Sequence, residues 1–566
     1  MIRRDWWGRR NAPTTTGPNG PAAPNGSARP SGSVLPNGSA PPNGSTPPTT
    51  TAPVPGPGGV AAELDHSGSD RRRALRQRFS TLSATLGGPV DRDDAPISAG
   101  GRGTAELLTE LTAVIGPDPA VERIWLLLAV LTGNLPTPEQ VRAAHRAAAL
   151  DGPIAAIVLA LQEVPAAGEF PPVTVVADRV VVDVHNTAQA DFVTGIQRVT
   201  REATRRWTAE HRPLLIGWRP DLRSIRALSI PEARRACWGG PAVPIPAGDA
   251  VIVPWNCTYL LPELAAEVTR TAYLQALAQY STSTLNIVGY DLVPMTTAET
   301  SHIGLIPGFS RNLAAARYAR TVVPISAGAA GEYLGWREML TGTGLAGPEI
   351  VEVVLPGQAP PADPAATRRA VDRLTVGGLP MVLVVGSHEP RKNHLAVLHA
   401  AELLWREDLA FSLTFIGGNS WNSEWFQAGL KRAREAGRPV ETLSAVDDDL
   451  LFGAYRCARF TVFPSINEGF GLPVAESLAC GTPVITSRYG SLAEIAQQGG
   501  VVLVDPRDDH DIAAAMRSLL TDDARYAELA EQARTRPERT WDTYARDSWA
   551  ELVAPRSPRT LTGAHR

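Results

Sequence analysis

The chain has 566 residues, of which 54 are Lys or Arg and 58 are Asp or Glu, so its formal net charge at pH 7 is -4. This length predicts about three or four domains, and the near balance of charges argues against a nucleic-acid-binding protein. The sequence contains no apolar run near the roughly 18 residues that span a bilayer, and it starts without the apolar segment of a secretion signal. Its four cysteines are scattered without metal-ligand spacing. We therefore expect a cytoplasmic protein with free thiols.

Residues 1–70 are rich in Pro, Gly, Ser, Thr and Asn, and the unit Pro-Asn-Gly recurs in them. A segment of this composition cannot bury a hydrophobic core, so we predict a disordered tail. Its Asn-Gly-Ser units match the N-glycosylation pattern, but without a secretion signal we do not expect them to be modified.

Residues 71–165 show apolar side chains at helical spacing and predict a small helical bundle. Thr137, Pro138 and Gln140 give the cap, first-turn proline and capping-box pattern that starts a helix. The basic run Arg71–Arg78 predicts either a solvated helix face, which we favour, or a contact with an anionic membrane surface. The bundle is also a candidate for oligomerisation or partner binding.

From Val173 onward, strands alternate with helices in two blocks, which predicts parallel sheets covered by helices. We predict a first doubly wound, Rossmann-like domain at 173–358 and a second at 359–540, facing each other across a cleft. A closing helix at 541–556 and a flexible end at 557–566 follow. The predicted strands are 173–176, 180–184, 250–254, 285–290, 321–325, 381–385, 412–416, 460–463, 483–485 and 501–504.

The most informative segment runs from Phe463 to Thr486, where Glu468 and Glu476 stand eight positions apart. A strand precedes them, the turn Gly469-Phe470-Gly471 separates them, and a helix begins near Leu472. A loop at the carboxyl end of a parallel strand that opens a helix is where open α/β sheets bind ligands. Free backbone N–H groups there suit a phosphate, and carboxylates suit sugar hydroxyls. The segment therefore predicts a nucleotide-sugar site.

The second block begins with a strand that leads into Gly386 and a charged loop containing Arg391 and Lys392. Two adjacent cations near a helix start can neutralise a diphosphate. Such a loop alone is a weak signal, and its place upstream of Glu468 and Glu476 strengthens it.

Two acidic runs in the second block, Asp447–Asp449 and Asp508–Asp511, could be taken for metal ligands. Each precedes an apolar helix pattern, so we interpret both as helix caps and predict no metal site.

The first block offers three candidates of its own. Gly195 stands at the start of a helix, where it either allows close approach to a ligand or is a simple helix N-terminus. Asp291 follows a strand at its carboxyl edge, and His302 lies in the next loop.

At these motifs the chain resembles family 4 of the glycosyltransferases (glycosyltransferase group 1), a retaining group with the two-domain GT-B fold. The pair Glu468 and Glu476 matches its signature, and Gly386–Asn393 resembles its phosphate-binding segment. The segments Thr194–Val199 and Tyr290–Pro294 resemble a subgroup of polysaccharide and O-antigen transferases that includes mannosyltransferases. Thr540–Ala545 resembles the family's closing segment, which implies that the helix at 541–556 crosses back onto the first domain. The resemblance covers about residues 173–555.

The resemblance implies roles on the donor side of the cleft. Glu476 would hold the ribose hydroxyls and Glu468 the hydroxyls of the transferred sugar. Arg391 and Lys392 would stabilise the leaving diphosphate. Gly386, Gly195 and the turn residues Gly469, Phe470, Gly471 and Leu472 would lie against the donor. On the acceptor side, Asp291 and His302 would act with Glu468, Arg391 and Lys392 in catalysis.

The resemblance also implies a metal-independent enzyme without a cofactor. It favours GDP-mannose as the donor, with uridine-linked sugars as the alternative, and a glycan or lipid-linked saccharide as the acceptor. A lipid-linked acceptor would bring the protein to the inner face of the membrane. The alternatives are a non-catalytic scaffold on the same fold and a nucleotide-sugar epimerase. Two departures from the family pattern, His388 and Ala298-Glu299, bear on donor fit and on the role of His302.

Overall fold

The computed structural model describes residues 59–62, 68–87, 104–190, 194–246 and 249–554. The predicted disordered tail, residues 1–70, lies almost entirely outside these ranges, and the predicted flexible end, residues 557–566, lies wholly outside them. Within the described ranges, no helix combines the length and the apolar composition that crossing a membrane requires.

Helices form the first part of the described chain and share a hydrophobic core with the sheet that follows. They span residues 59–62 (α1), Ser69–Thr85 (α2), Thr104–Ile115 (α3), Val121–Thr132 (α4), Pro138–Asp151 (α5) and Pro153–Gln162 (α6). The predicted start of α5 is confirmed, because the Thr137 hydroxyl accepts from Gln140 N and the Gln140 side chain accepts from Thr137 N at 2.9 Å.

The basic run in α2 is not simply a solvated face, which corrects the interpretation that the sequence favoured. Arg78 is buried and donates to the carbonyl oxygens of Leu131 at 2.9 Å and Pro171 at 3.1 Å. Arg71 donates to the carbonyl oxygen of Leu161 at 3.3 Å. Part of the run therefore fastens α2 to α4, to α6 and to the segment before the first strand.

Among the described residues, the first sheet has nine strands in the order β1-β5-β4-β3-β2-β6-β7-β8-β9, and all neighbouring pairs are parallel except those of β4. Its strands are Val173–Ala177 (β1), Val180–Asp183 (β2), Leu214–Trp218 (β3), Ile225–Ala227 (β4), Val251–Trp255 (β5), Thr258–Leu261 (β6), Thr284–Gly289 (β7), Thr321–Pro324 (β8) and Glu349–Ile350 (β9). The helices of this part are His185–Gln189 (α7), Gly195–His211 (α8), Ile230–Trp238 (α9), Val268–Tyr280 (α10), Val293–Thr296 (α11), Leu305–Ala316 (α12) and Ala327–Gly342 (α13).

In the part of the chain that the structure describes, the second sheet has six parallel strands in the order β12-β11-β10-β13-β14-β15. They are Met381–Val385 (β10), Ser412–Ile416 (β11), Val440–Leu443 (β12), Phe460–Phe463 (β13), Val484–Ser487 (β14) and Val501–Val504 (β15). The helices are Pro364–Leu374 (α14), His394–Arg406 (α15), Glu424–Glu435 (α16), Asp448–Cys457 (α17), Leu472–Ala479 (α18), Gly490–Ala496 (α19), Asp509–Thr521 (α20) and Asp523–Arg534 (α21). The strand order reverses between β10 and β13, and such a switch point is where open α/β sheets bind ligands.

The last helix, Trp541–Val553 (α22), follows the second domain in sequence but packs on the first. Trp207 Nε1 on α8 donates to the carbonyl oxygen of Ala545 at 2.8 Å, and the rings of His211 and Trp549 stack with centroids 4.1 Å apart. One hydrophobic cluster continues from the first domain through the second into α22. The two domains are therefore joined by apolar packing as well as by the chain.

Candidate active site

The loop between β13 and α18 carries Glu468, and α18 itself carries Glu476, at the switch point of the second sheet. Gly471 caps α18 with φ 108°, a conformation that favours glycine, and a Cβ there would lie 2.5 Å from Leu492 Cδ2. Gly469 lies against the first domain, because a Cβ on it would lie 3.0 Å from Asp291 Oδ2. The two glycines allow the loop to turn sharply and to approach the first domain closely.

Glu468 is paired with both predicted cations. Lys392 Nζ lies 2.7 Å from Glu468 Oε1, and Arg391 Nη1 lies 2.5 Å from Oε2. Ser465 Oγ also donates to Oε1 at 2.7 Å. Burial acts to raise the pKa of Glu468, but Arg391 and Lys392 outweigh it and hold the pKa at about 2. The carboxylate is therefore ionised throughout the physiological range.

Arg391 connects this cluster to the backbone and to a second carboxylate. Its Nη2 lies 2.7 Å from Glu389 Oε1, and its Nη1 donates to the carbonyl oxygen of Asn467 at 2.8 Å. The guanidinium is thus held in one orientation before any ligand binds.

Asp291 reaches the same place from the first domain, in the loop after β7. Burial raises its pKa to about 6; Arg391 opposes this, while Glu332 and Glu468 add to it. Its Oδ1 accepts a hydrogen bond from Val293 N at 3.2 Å. The cleft therefore contains one carboxyl group that titrates near neutrality beside a carboxylate that does not.

Glu476 is buried on α18, and a residue of the first domain covers it. Arg198 on α8 donates through Nη1 to Glu476 Oε1, and the hydroxyl of Tyr455 donates to Oε2 at 3.0 Å. Burial raises the pKa of Glu476, and Arg198 opposes that rise. The site prediction did not include Arg198, although it lies one turn after Gly195 in a segment that the sequence singled out.

Three other predicted donor-side residues also lie where the two domains meet: Gly195, Leu472 and Phe470. A Cβ on Gly195 would lie 3.6 Å from Leu472 Cδ1, so the start of α8 faces the start of α18. Phe470 is buried in the hydrophobic cluster that both domains share. Gly386 follows β10 with φ 147°, and its carbonyl oxygen lies 1.8 Å from the position that a Cβ on Gly417 would take. The β10 and β11 loops therefore touch through their backbones.

Direct hydrogen bonds close the cleft. Asn467 Nδ2 donates to Thr296 Oγ1 and to Glu332 Oε1, both at 3.0 Å. Ser326 Oγ donates to the carbonyl oxygen of Gly469 at 2.6 Å. Sequence reasoning missed these contacts, because their partners lie on different domains.

His302 stands apart from this network in the part of the chain that the structure describes. It is exposed in the loop before α12, and its Nδ1 accepts a hydrogen bond from Gly304 N at 3.1 Å. The departure at His388 is a packed side chain in the second domain: its Nδ1 lies 2.9 Å from Asn419 Oδ1, its ring centroid lies 4.7 Å from that of Phe426, and burial lowers its pKa.

The acidic runs cap helices, as predicted. Asp447 accepts from Leu450 N at 2.8 Å, and Asp508 accepts from His510 N at 2.9 Å. Among the described residues, no group of three or more His, Cys, Asp or Glu side chains is arranged to hold a metal ion.

Comparison with known proteins shows which family the second domain is similar to. Residues 371–536, which carry Arg391, Lys392, Glu468 and Glu476, match the family described as glycosyl transferases group 1. The match covers most of the second domain. The predicted resemblance to the group is thereby confirmed over that domain.

Two relatives show how far the likeness extends. The O-antigen chain mannosyltransferase B of Escherichia coli is 33% identical over 165 residues, which are 29% of this chain and 43% of that protein. The D-inositol 3-phosphate glycosyltransferase of Corynebacterium kroppenstedtii is 33% identical over 233 residues, which are 36% of this chain and 46% of that protein. The chain thus spans less than half the length of each of these relatives.

A solved structure supports the predicted architecture. Sucrose-phosphate synthase from Thermosynechococcus elongatus superposes with a TM-score of 0.50 at 18% identity, covering 66% of this chain and 100% of that one. At this identity the likeness concerns the fold alone, and the predicted GT-B fold is confirmed.

Proposed function

We propose that the protein is a retaining glycosyltransferase that moves a sugar from a nucleotide-sugar donor to a glycan or lipid-linked acceptor in polysaccharide biosynthesis. The observation that carries this proposal is the grouping of Arg391, Lys392, Glu468 and Glu476 around the switch point between β10 and β13. All four lie in the segment that matches the glycosyltransferase family.

The charges of the cleft fit a nucleoside diphosphate sugar. Lys392 and Arg391 now neutralise Glu468, and their side chains keep exposed fractions of 12% and 16%. A donor diphosphate is a stronger acceptor for these cations, and Glu468 can then turn to the hydroxyls of the sugar. Glu476, one helix away, would bind the ribose hydroxyls. With two cations against the diphosphate, we propose that transfer needs no metal ion.

The reaction that these groups would support is a substitution at the anomeric carbon with retention. The bond from this carbon to the diphosphate oxygen breaks, and a bond to the acceptor hydroxyl oxygen forms on the same face. The acceptor proton passes to the leaving phosphate, so both charge and atoms balance. Negative charge develops on the diphosphate in the transition state, where preorganised cations such as Lys392 and Arg391 are most effective. Contact between the domains would exclude water and disfavour hydrolysis of the donor.

We propose GDP-mannose as the donor because one of the similar proteins is named an O-antigen chain mannosyltransferase. The relative named a D-inositol 3-phosphate glycosyltransferase keeps other donors and a phosphorylated acceptor open to the test.

The first test is thermal stabilisation by GDP, UDP, ADP and their sugar conjugates. A ligand that binds only the folded state adds about 2.7 kcal/mol at a hundredfold excess over its dissociation constant. We expect one nucleotide class to raise the melting temperature of the wild type. Glu476→Gln should lose that shift, while Glu441→Gln on β12 should keep it. No shift with any nucleotide would refute the donor site and favour a scaffold.

The second test follows radiolabelled GDP-mannose with lipid-linked saccharide acceptors, with and without EDTA. Transfer in the presence of EDTA supports a metal-independent enzyme. A product whose new glycosidic bond has the same anomeric configuration as the donor, determined by NMR, supports a retaining enzyme. Conversion of the donor into another nucleotide sugar without transfer would identify an epimerase instead.

A further inference from the structure

In the ion pair between Arg198 and Glu476, a charged side chain of the first domain covers the predicted ribose ligand of the second domain. Arg198 lies on α8, and its guanidinium donates to Glu476 Oε1. Its carbon Cζ lies 5.7 Å from the centre of the Phe452 ring on α17, and Tyr455 from the same helix takes Oε2. Both oxygens of Glu476 therefore have partners.

The exposed fraction of the Glu476 side chain decides whether a ribose can reach it. Its side chain is 5% exposed, whereas that of Arg198 is 29% exposed. A carboxylate has about four acceptor positions, so two remain in principle for the two hydroxyls of a ribose. At 5% exposure, however, a ribose cannot reach them while the guanidinium is in place.

We infer that Arg198 occupies the position of the donor ribose and competes with the nucleotide for Glu476. This inference rests on the proposed function, since it takes Glu476 as the ribose ligand. The partners belong to different domains, so releasing Arg198 also removes an electrostatic contact that holds the cleft closed. Nucleotide binding and opening of the cleft are thereby coupled through one side chain.

Thermodynamic linkage makes this coupling reciprocal: the nucleotide opposes the Arg198–Glu476 pair as strongly as the pair opposes the nucleotide. A competitor that must be displaced weakens the apparent affinity of the nucleotide, and its removal restores that affinity. Arg198 is thus a positioning residue: it sets the threshold for donor binding without contacting the reacting atoms.

The test compares nucleotide affinity in the wild type, Arg198→Met and Arg205→Met by isothermal titration calorimetry with GDP and UDP. Arg205 is the matched control, because it lies on the same helix, is also 29% exposed and pairs with a carboxylate, Glu202, within that helix. We expect Arg198→Met to bind the nucleotide about five- to tenfold more tightly, a coupling of ordinary size. Arg205→Met should bind as the wild type does.

Weaker or unchanged binding by Arg198→Met would overturn the inference, the former by making Arg198 a donor contact. Absence of nucleotide binding in the wild type and all variants would instead refute the proposed function, so the two failures are distinguishable. Arg198→Lys keeps the charge and should bind the nucleotide with an affinity between those of the wild type and Arg198→Met. This variant keeps the test valid if Arg198→Met folds poorly. X-ray scattering without nucleotide should show a larger radius of gyration for Arg198→Met than for Arg205→Met.

Discussion

Two clusters of buried charge, one in each domain, are built from the same chemical groups and differ in what surrounds them. In the first domain, Arg270 lies 2.9 Å from Asp183 and 3.0 Å from Glu263, and all three side chains are almost completely buried. In the second domain, Arg391 and Lys392 hold Glu468 at similar distances, but both cations keep part of their surface exposed.

The first cluster takes its hydrogen bonds from within one domain. Trp218 Nε1 and the Tyr259 hydroxyl donate to Asp183 Oδ2 at 2.8 and 2.6 Å. Thr187 donates to Glu263 through both its backbone N and its hydroxyl at 2.8 Å. These bonds fix α7 and the ends of β2 and β6, and no ligand is needed to complete them.

The second cluster is made of side chains from two loops of one sheet, and the neighbouring Glu476 is paired with a cation of the opposite domain. Buried ion pairs alone therefore do not distinguish a site from a structural network. A site is distinguished by side chains that stay partly exposed and by ion-pair partners that belong to two domains. The following predictions test that distinction.

The largest effect is expected for Arg270→Met. It leaves Asp183 and Glu263 buried without their cation, and breaking a buried pair in this way costs about 3–5 kcal/mol. Chemical denaturation followed by tryptophan fluorescence should show the loss. Arg517→Met, which removes an exposed pair with Glu407, should cost no more than about 1 kcal/mol. Equal stability of the two variants would show that the first cluster is not structural.

The fold was largely predictable because strand and helix periodicity is local. The strands of the second domain were found except β12, and in the first domain β3, β4, β6 and β9 had no predicted counterpart. β4 is a three-residue antiparallel strand, and β9 has only two residues. β6 follows β5 after only Asn256 and Cys257, so no longer polar segment marks the end of one strand and the start of the next.

The grouping of Arg391, Lys392 and Glu468 was predictable from the sequence, because all three lie on loops of one sheet. The contacts of Arg198 and Asn467 could not be predicted, because they depend on how the two domains dock, and no local sequence pattern encodes that. His302 shows the opposite limit: a polar residue in a suggestive loop lies outside the ion-pair network in the described structure.

A smaller free-energy change, visible in catalysis rather than in folding, is expected for Lys392→Met. Lys392 would pass from Glu468 to the leaving diphosphate, and loss of one such stabilising group lowers kcat about 100- to 1000-fold. Donor consumption under saturating substrate measures it. Lys431→Met, which changes an exposed pair with Glu435, should retain full activity. A kcat within a few fold of the wild type would mean that Lys392 only neutralises Glu468, as Arg270 does for Asp183.

The smallest expected effect concerns Asp291→Asn and depends on pH. Burial raises the pKa of Asp291 from 3.8 to about 6, against the opposing charge of Arg391. A carboxyl whose pKa is higher in the folded state favours folding when protonated, so its stabilising contribution is present below pH 3.8 and is lost as the pH rises through about 6. Asparagine removes the charge, so the stability of the variant relative to the wild type should increase with rising pH.

At pH 8 we expect the melting temperature of Asp291→Asn to exceed that of the wild type by at least roughly 2–4 °C. A pKa rise from 3.8 to about 6 corresponds to at most about 3 kcal/mol, and about 1 kcal/mol already produces a shift of roughly 2–4 °C in a domain of this size. At pH 4 the two should melt together, and the exposed control Asp372→Asn should show no such dependence. If the difference between Asp291→Asn and the wild type is the same at both pH values, then water reaches the carboxyl in the closed cleft. Asp291 would in that case belong to the accessible part of the site, where an acceptor hydroxyl could replace that water without a desolvation cost.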